Sequence, residues 1–283
     1  MTNQDWEMIH GDCVLEVGKM ADESIDYSVF SPPFASLYVY SASPNDMGNV
    51  KDDDEFFTHF GFLVQELYRV LKPGRNLSFH CMNLPMTKER DGVIGLRDFR
   101  GMLIKAFEDK GFIFHSEVTI WKDPVTAMQR TKAIGLLYKQ LKKDSCISRQ
   151  GIADYLVTMR KPGENPERVT KMPDSFSVDK WQAYASPVWM DINPSNTLQK
   201  ESAREDDDER HICPLQLEVI ERAVTLWTNP NDLVLSPFAG IGSEGYVSLQ
   251  LGRRFVGVEL KESYYKQACK NLENALAQSR LFA

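Results

Sequence analysis

Cysteine is scarce and unpatterned in this chain. Its 283 residues include five cysteines, Cys13, Cys81, Cys146, Cys213 and Cys269, an odd number with no CxxC spacing. That argues against a disulfide framework or a thiolate zinc site and predicts reduced thiols in the cytoplasm. No apolar run approaches the ~20 residues that span a bilayer. Met1 to Asp5 is polar and carries no apolar signal region. A cytoplasmic protein with no membrane partner and no metal is therefore expected. There is no repeat and no low-complexity tract, and no excess of positive charge. Lys and Arg number 33 against 40 Asp and Glu, a net charge of −7, which taken alone argues against a polyanionic partner. What is present is ordinary globular material, 42% hydrophobic and 26% charged. The length suffices for one large α/β domain or two small ones.

The charge is uneven. From Trp121 to Gly163 the cations Lys122, Arg130, Lys132, Lys139, Lys142, Lys143, Arg149, Arg160 and Lys161 face only Asp123, Asp144 and Asp154. Acid gathers elsewhere, in Asp52-Asp53-Asp54-Glu55 and Glu205-Asp206-Asp207-Asp208-Glu209. Screening beyond ~10 Å lets a local basic segment track phosphates even on an acidic protein. On charge alone, a solvated helical face is the simpler reading.

Periodicity predicts strands at Glu7–His10, Ser24–Phe30, Asn76–Cys81, Phe112–Trp121, Tyr155–Met159 and from Val234. It predicts helices at Val14–Met20, Glu55–Leu71, Asp98–Asp109, Ile212–Trp227 and Gln267–Ser279. Ala35–Asp54 reads as an exposed loop. Lys122–Ser148 has weak periodicity, and Gly163–Ser195 is proline-rich with little regular pattern. Strands alternating with helices imply a doubly wound, mostly parallel α/β sheet with an irregular middle region.

Two short motifs carry chemistry. Leu233-Val234-Leu235-Ser236-Pro237-Phe238-Ala239-Gly240-Ile241-Gly242-Ser243 reads as a buried strand and a glycine turn opening a helix, and Phe255 to Glu259 as the next strand, ending in a carboxylate. Gly240 and Gly242 would let the backbone pass close to a ligand, and Glu259 stands where an acid accepts bonds from ribose hydroxyls. A plain βαβ turn with a surface glutamate fits this element as well. The Ser-Pro-Phe lead-in is atypical of dinucleotide turns, and no lysine follows as in a phosphate-binding loop. The other motif, Ser31-Pro32-Pro33-Phe34, ends an apolar strand, where the prolines stop the ladder and fix the corner. The serine oxygen and a rigid carbonyl suit the two hydrogens of an exocyclic amine, and Phe34 could stack on its ring. A loop start with a core phenylalanine is the plainer alternative.

Together, in this order, the motifs resemble DNA amino-methyltransferases, which move a methyl group from S-adenosylmethionine to adenine N6 or cytosine N4. Ser31 to Phe34 matches the family's catalytic (Asp/Asn/Ser)-Pro-Pro-(Tyr/Phe/Trp). Ser236 to Gly242 matches its cofactor motif Asp-Pro-Phe-x-Gly-x-Gly, with serine in place of the usual aspartate. Catalytic before cofactor motif is the β-class order. Gly11-Asp12-Cys13, Arg69 to Gly74, His211 with Pro214, and Gly252 to Glu259 extend the resemblance over most of the chain.

The resemblance implies a Rossmann-like methyltransferase fold with S-adenosylmethionine as cofactor, double-stranded DNA as partner, a flipped target base and a homodimer. Ser31, Pro32, Pro33 and Phe34 would be catalytic. Asp12, Ser236, Phe238, Gly240, Gly242, Ser243, Glu259 and His211 would line the cofactor, with Asp12 near its adenine and the segment after His211 at its methionine end. Residues 1–121 would form the catalytic half and 206–283 the cofactor half. Residues 122–205 would form an inserted recognition region that includes a core strand near 155–159. In that light Arg130, Lys132, Lys139, Lys142, Lys143 and Arg149 become DNA contacts. Trp181, Tyr184 and Trp189 fit base stacking or core packing equally. The Ser-Pro-Pro spelling is commoner among cytosine-N4 enzymes, while adenine enzymes are far more numerous; adenine N6 is the expectation, with cytosine N4 the alternative. RNA methylation or an inactive DNA-binding relative stands further off.

Overall fold

A computed structural model describes residues 5–34, 53–125, 138–147, 149–171, 176–198 and 214–281. The elements, in chain order, are β1 (Trp6–His10), α1 (Cys13–Gly18), β2 (Tyr27–Phe30), α2 (Asp53–Val70), β3 (Asn76–Met82), β4 (Leu84–Met86), α3 (Lys88–Asp91), β5 (Gly95–Arg97) and α4 (Phe99–Glu108). There follow β6 (Ile113–Ile120), α5 (Tyr138–Leu141), β7 (Asp154–Arg160), α6 (Val178–Tyr184) and β8 (Val188–Trp189). The chain closes with α7 (Leu217–Trp227), β9 (Leu233–Ser236), α8 (Ser243–Gln250), β10 (Arg254–Glu259) and α9 (Glu262–Leu281).

Eight strands form the main sheet in the order β1-β10-β9-β2-β3-β7-β6-β8. The run from β1 to β3 is parallel, whereas β7 pairs antiparallel with both β3 and β6. Alternation along each strand sends side chains to two helical layers. Phe30, Leu77, Phe79, Cys81, Val157 and Met159 join α2 and α4 through Phe60, Leu63, Leu103 and Phe107. Tyr27, Val29, Val234 and Leu156 face the other way, with Val219 and Val224 of α7 and Ala268 and Leu272 of α9. Phe79 stacks on Phe107 at 5.1 Å, one of many buried rings that each contribute about 1.5–3 kcal/mol.

The parallel half mixes both ends of the chain. β2 lies between β3 and β9, and the connections leaving β2 and β9 run in opposite directions. Such a divergence opens a crevice beyond the carboxyl ends of the strands, where ligands bind in α/β sheets. The opposite ends are locked by charge. Buried Arg75 reaches Asp26 at 2.9 Å and also pairs with Asp232, while Lys72 reaches Asp26 at 2.7 Å. Asp26, Glu167 and Asp232 converge there, and each is paired with Lys72 or Arg75.

Several elements differ from the periodicity reading. The β4–β5 hairpin lies between the expected strand at Asn76–Cys81 and the expected helix at Asp98–Asp109, where the periodicity gave no element. Helix α7 begins at Leu217, not at Ile212, which lies outside the described residues. Helix α9 begins at Glu262, a turn and more before Gln267. The tract read as patternless holds α6, capped by the Ser177 hydroxyl accepting from the Lys180 N–H, and β8, which extends the sheet edge along β6. β7 sits inside the sheet. No helix among the described residues is long and apolar enough to cross a membrane.

Candidate active site

The two motifs, some two hundred positions apart, leave adjacent strands side by side. Parallel register pairs Tyr27 with Val234 and Ser28 with Leu235, and the Ser28 hydroxyl donates to the Leu235 carbonyl at 2.9 Å. Two residues beyond Ser28, Phe30 meets Phe238 across the junction with ring centroids 5.8 Å apart. The Ser31 corner and the glycine turn therefore open into one crevice.

In that corner Pro32 and Pro33 are buried, while Ser31 and Phe34 are half-buried. Phe34 leans on Phe99 at 6.4 Å. The Ser31 hydroxyl lies 3.1 Å from His80 Nδ1, and His80 Nε2 lies 3.1 Å from Asp154 Oδ2. Lys122 Nζ approaches the same carboxylate oxygen at 2.5 Å. Burial pushes the Asp154 carboxyl up, but His80 and Lys122 outweigh it and hold it below the usual carboxylate range. His80 and Asp154 had no sequence signal: one histidine in an apolar strand reads as core, and only the sheet register brings β7 against β3.

The glycine turn has the geometry its residues suggested. Gly240 and Gly242 take left-handed φ of +52° and +86°. A Cβ on Gly242 would crowd Ala268 of α9 at 3.2 Å, whereas one on Gly240 would meet no protein atom within 4 Å. The turn is thus open beside Gly240, as a backbone–ligand contact requires. Glu259 accepts from the backbone N–H of Gly240 at 2.8 Å and of Lys261 at 2.9 Å, which fixes its carboxylate at the rim. Strand β1 brings Asp12 alongside, because His10 pairs with Glu259 and the Gly11 N–H donates to the Glu259 carbonyl at 3.0 Å. Asp12 caps α1, accepting from Val14 N at 2.9 Å and Leu15 N at 3.1 Å.

Ser236 closes β9 fully buried, and its hydroxyl has no hydrogen-bond partner among the described residues. Such a group ordinarily finds one, so the Ser236 hydroxyl is suited to a polar group of a ligand at the turn. Phe238 is half-buried and Ser243 buried. Glu244, in the first turn of α8, is buried, and that burial, with the nearby charge of Glu259, pushes its carboxyl up to about 8. An acid in a helix's first turn reads as ordinary dipole complementation, which is why the sequence did not single it out.

The basic segment is divided. Lys142 and Lys143 are exposed beside α5, the Lys142 ammonium lying 5.6 Å from the Tyr138 ring. Arg149 is half-buried, which lowers its pKa, and donates to the Gln150 carbonyl at 3.1 Å. Lys161 is buried and donates to the Leu71 carbonyl at 2.8 Å, so its charge, like that of Lys122, is used inside the fold. Trp189 and Tyr184 are core residues, and Trp181 is exposed. Arg130, Lys132, His211 and the side chain of Lys139 lie outside the described residues.

The family model for N6/N4 DNA methylases, described as DNA methylase, matches residues 25–270. The chain belongs to the N6/N4 DNA methylase family. It is a DNA methyltransferase, with the mixed α/β, mostly parallel methyltransferase fold. The DNA adenine methyltransferase YhdJ of Escherichia coli K12 is 25% identical over 96% of this chain and 84% of its own length. Among solved structures, TTHA0409 of Thermus thermophilus, a putative DNA modification methylase complexed with S-adenosyl-L-methionine, aligns at TM-score 0.69 and 20% identity over 95% of each chain. The cytosine-N4-specific PvuII DNA methyltransferase aligns at TM-score 0.67 and 17% identity, over 99% of this chain and 93% of the other. These last two likenesses speak to the fold.

Proposed function

We propose that this methylase transfers a methyl group from S-adenosylmethionine to adenine N6 in double-stranded DNA, at the crevice between the ends of β2 and β9. The observation that supports the reading is the register of those strands, which sets Ser31 to Phe34 beside the turn at Gly240. S-adenosylmethionine supplies a sulfonium methyl group whose carbon–sulfur electron pair stays on sulfur.

Protein groups do the rest by position. Gly240 and Gly242 keep the turn low against the cofactor, and Phe238 and Ser243 line it. The fixed carboxylate of Glu259 receives the ribose hydroxyls, and Asp12 lies near the adenine. The unpartnered Ser236 hydroxyl fits a polar group at the methionine end, which His211 helps to close. Ser236 offers a dipole where an aspartate would offer charge. The target nucleotide is flipped, at a few kcal/mol, and Phe34 stacks on its ring. Ser31 and the rigid Pro32 corner accept its amino hydrogens and aim the nitrogen at the methyl group.

Lys142 and Lys143, with Arg130, Lys132, Lys139 and Arg149, supply the phosphate contacts of residues 122–205. The enzyme acts in the cytoplasm, as a homodimer in keeping with the family resemblance. Adenine is favoured because the E. coli relative, matched along nearly the whole chain, is an adenine enzyme. The Ser-Pro-Pro spelling keeps cytosine N4 as the second reading. Mass spectrometry of nucleosides from PCR-amplified duplex DNA treated with the protein and S-adenosylmethionine decides between them. N6-methyldeoxyadenosine is expected; N4-methyldeoxycytidine alone would replace the adenine reading.

A further inference from the structure

Ser31 is a hydroxyl, which can donate as readily as it accepts, whereas amine recognition needs a pure acceptor. The structure supplies a reason for its polarity. Residues 27, 29 and 31 of the β2 strand and corner share a face with Ser78 and His80 of β3 and with Asp154, Leu156 and Thr158 of β7, and the Ser78 and Thr158 hydroxyls meet there at 2.8 Å. One step towards the crevice, Ser31, His80 and Asp154 form a continuous chain with contacts of 3.1 Å each. His80 and Asp154 are buried, at 8% and 2% exposure.

We propose that His80 and Asp154 form a polar relay that makes Ser31 a hydrogen-bond acceptor for the target amine and takes the proton this amine releases. This rests on the reading that Ser31 faces the amine. Asp154 is held below the usual carboxylate range, and the Nε2 of His80 lies 3.1 Å from its Oδ2, off line for a hydrogen bond, with no hydrogen-bond partner among the described residues. The relay places the imidazole hydrogen on Nε2, the nitrogen nearer the carboxylate, and leaves Nδ1 as an acceptor. The Ser31 hydroxyl hydrogen turns to Nδ1, and an oxygen lone pair is left for one amino hydrogen, the other going to the Pro32 corner. Once the nitrogen lone pair is committed to the new N–CH3 bond, the nitrogen must shed one proton. That proton passes to Ser31 Oγ as the Ser31 hydroxyl hydrogen passes to His80 Nδ1, and the imidazolium is held by Asp154. Ser31 ends as it began, and solvent removes the proton from His80 between turnovers.

The charged groups around His80 are matched in pairs, and Asp154 is shared between His80 and a lysine. Lys122, just beyond β6, pairs with Asp154. Helix α7, packed on the same face, brings Arg222, which is engaged by Asp191 at 2.6 Å. Glu117 of β6 and Arg100 of α4 pair with each other at 2.7 Å, and Arg100 lies over Tyr155, at a strand position pointing to the opposite face.

The test uses the full chain, tritiated S-adenosylmethionine and PCR-amplified duplex DNA, with single-turnover rates measured across pH and cofactor affinity measured separately. His80→Ala should lower the rate by about 100-fold or more, the usual share of a positioned proton acceptor, with KM for DNA and cofactor affinity changed less than about threefold. His80→Gln keeps an amide beside Ser31 but cannot be protonated. It should retain part of the rate and lose the acid limb of the wild-type profile, and it decides the matter if His80→Ala fails to fold. Asp154→Asn should behave like His80→Ala. If Ser31→Ala is inactive while both His80 variants keep the wild-type rate and acid limb, the relay is overturned and the site stands. An alkaline limb that disappears in His80→Gln would overturn it too, because His80 would then act as a cation. If Ser31→Ala is fully active, the site reading itself is wrong.

Discussion

Replacing Gly240 with alanine separates the backbone role of the turn from its ligand role. Gly240 and Gly252 both hold positive φ, +52° and +71°, and a Cβ on either meets no protein atom within 4 Å. Each alanine should therefore carry only the left-handed penalty, roughly 1–2 kcal/mol, and lower Tm by about 2–4 °C per kcal/mol in a chain of this class. The two positions differ in place. Gly240 follows β9 at the crevice, where its N–H is held by Glu259. Gly252 precedes β10 at the other end of the sheet, where its carbonyl accepts from Asn231. Alanine at 240 puts a methyl group into space that the account gives to the cofactor, without removing that N–H bond. Calorimetric titration should show S-adenosylmethionine binding weakened about tenfold or more in Gly240→Ala, some 1.4 kcal/mol, and within twofold of wild type in Gly252→Ala. Equal affinities in the two variants would refute the placement of the cofactor, whatever their melting temperatures.

Two further outcomes follow from charge. Neutralising Lys142 and Lys143 together should weaken DNA binding and lower the slope of log affinity against log salt by about 2, near 0.9 per phosphate contact; unchanged slope and affinity would make these residues a solvated face. Asp26 is pushed up by burial, yet the Leu233 N–H, Lys72 and Arg75 outweigh this and leave its carboxyl below the ordinary 3.8. A depressed carboxyl contributes stability above its unfolded value and loses it as pH falls through the folded one. Urea midpoints should thus fall below about pH 3.8 in the wild type. Asp26→Asn should be less stable at pH 7 by ~3–5 kcal/mol, because Arg75 loses a buried partner, with a flatter acid limb; an unchanged limb would remove Asp26 from the account.

The parallel half of the sheet was legible because its signals are local. Apolar strands end at Pro32-Pro33 and at the Gly240 turn, and the apolar spacing from Phe56 to Val70 traces α2. What escaped depends on pairing across the chain. Arg75 and Asp232 are 157 positions apart, and nothing near either announces the other. His80 gains meaning only from β7 lying antiparallel beside β3. The tract after Gly163 looked irregular because its prolines hide α6 and β8, although Ser177 followed by Asp179 was a helix-start signal in plain view. Charge counting overstated the basic segment, since a lysine such as Lys161 can be buried on a carbonyl.

The central claim is that Ser31 to Phe34 and the turn at Gly240 form a single methyl-transfer site with separable tasks. Pro32→Ala, assayed for tritium transfer to duplex DNA alongside calorimetric cofactor binding, tests it most directly. Loss of transfer with S-adenosylmethionine affinity within about threefold of wild type is the predicted result. Undiminished transfer by Pro32→Ala would contradict it.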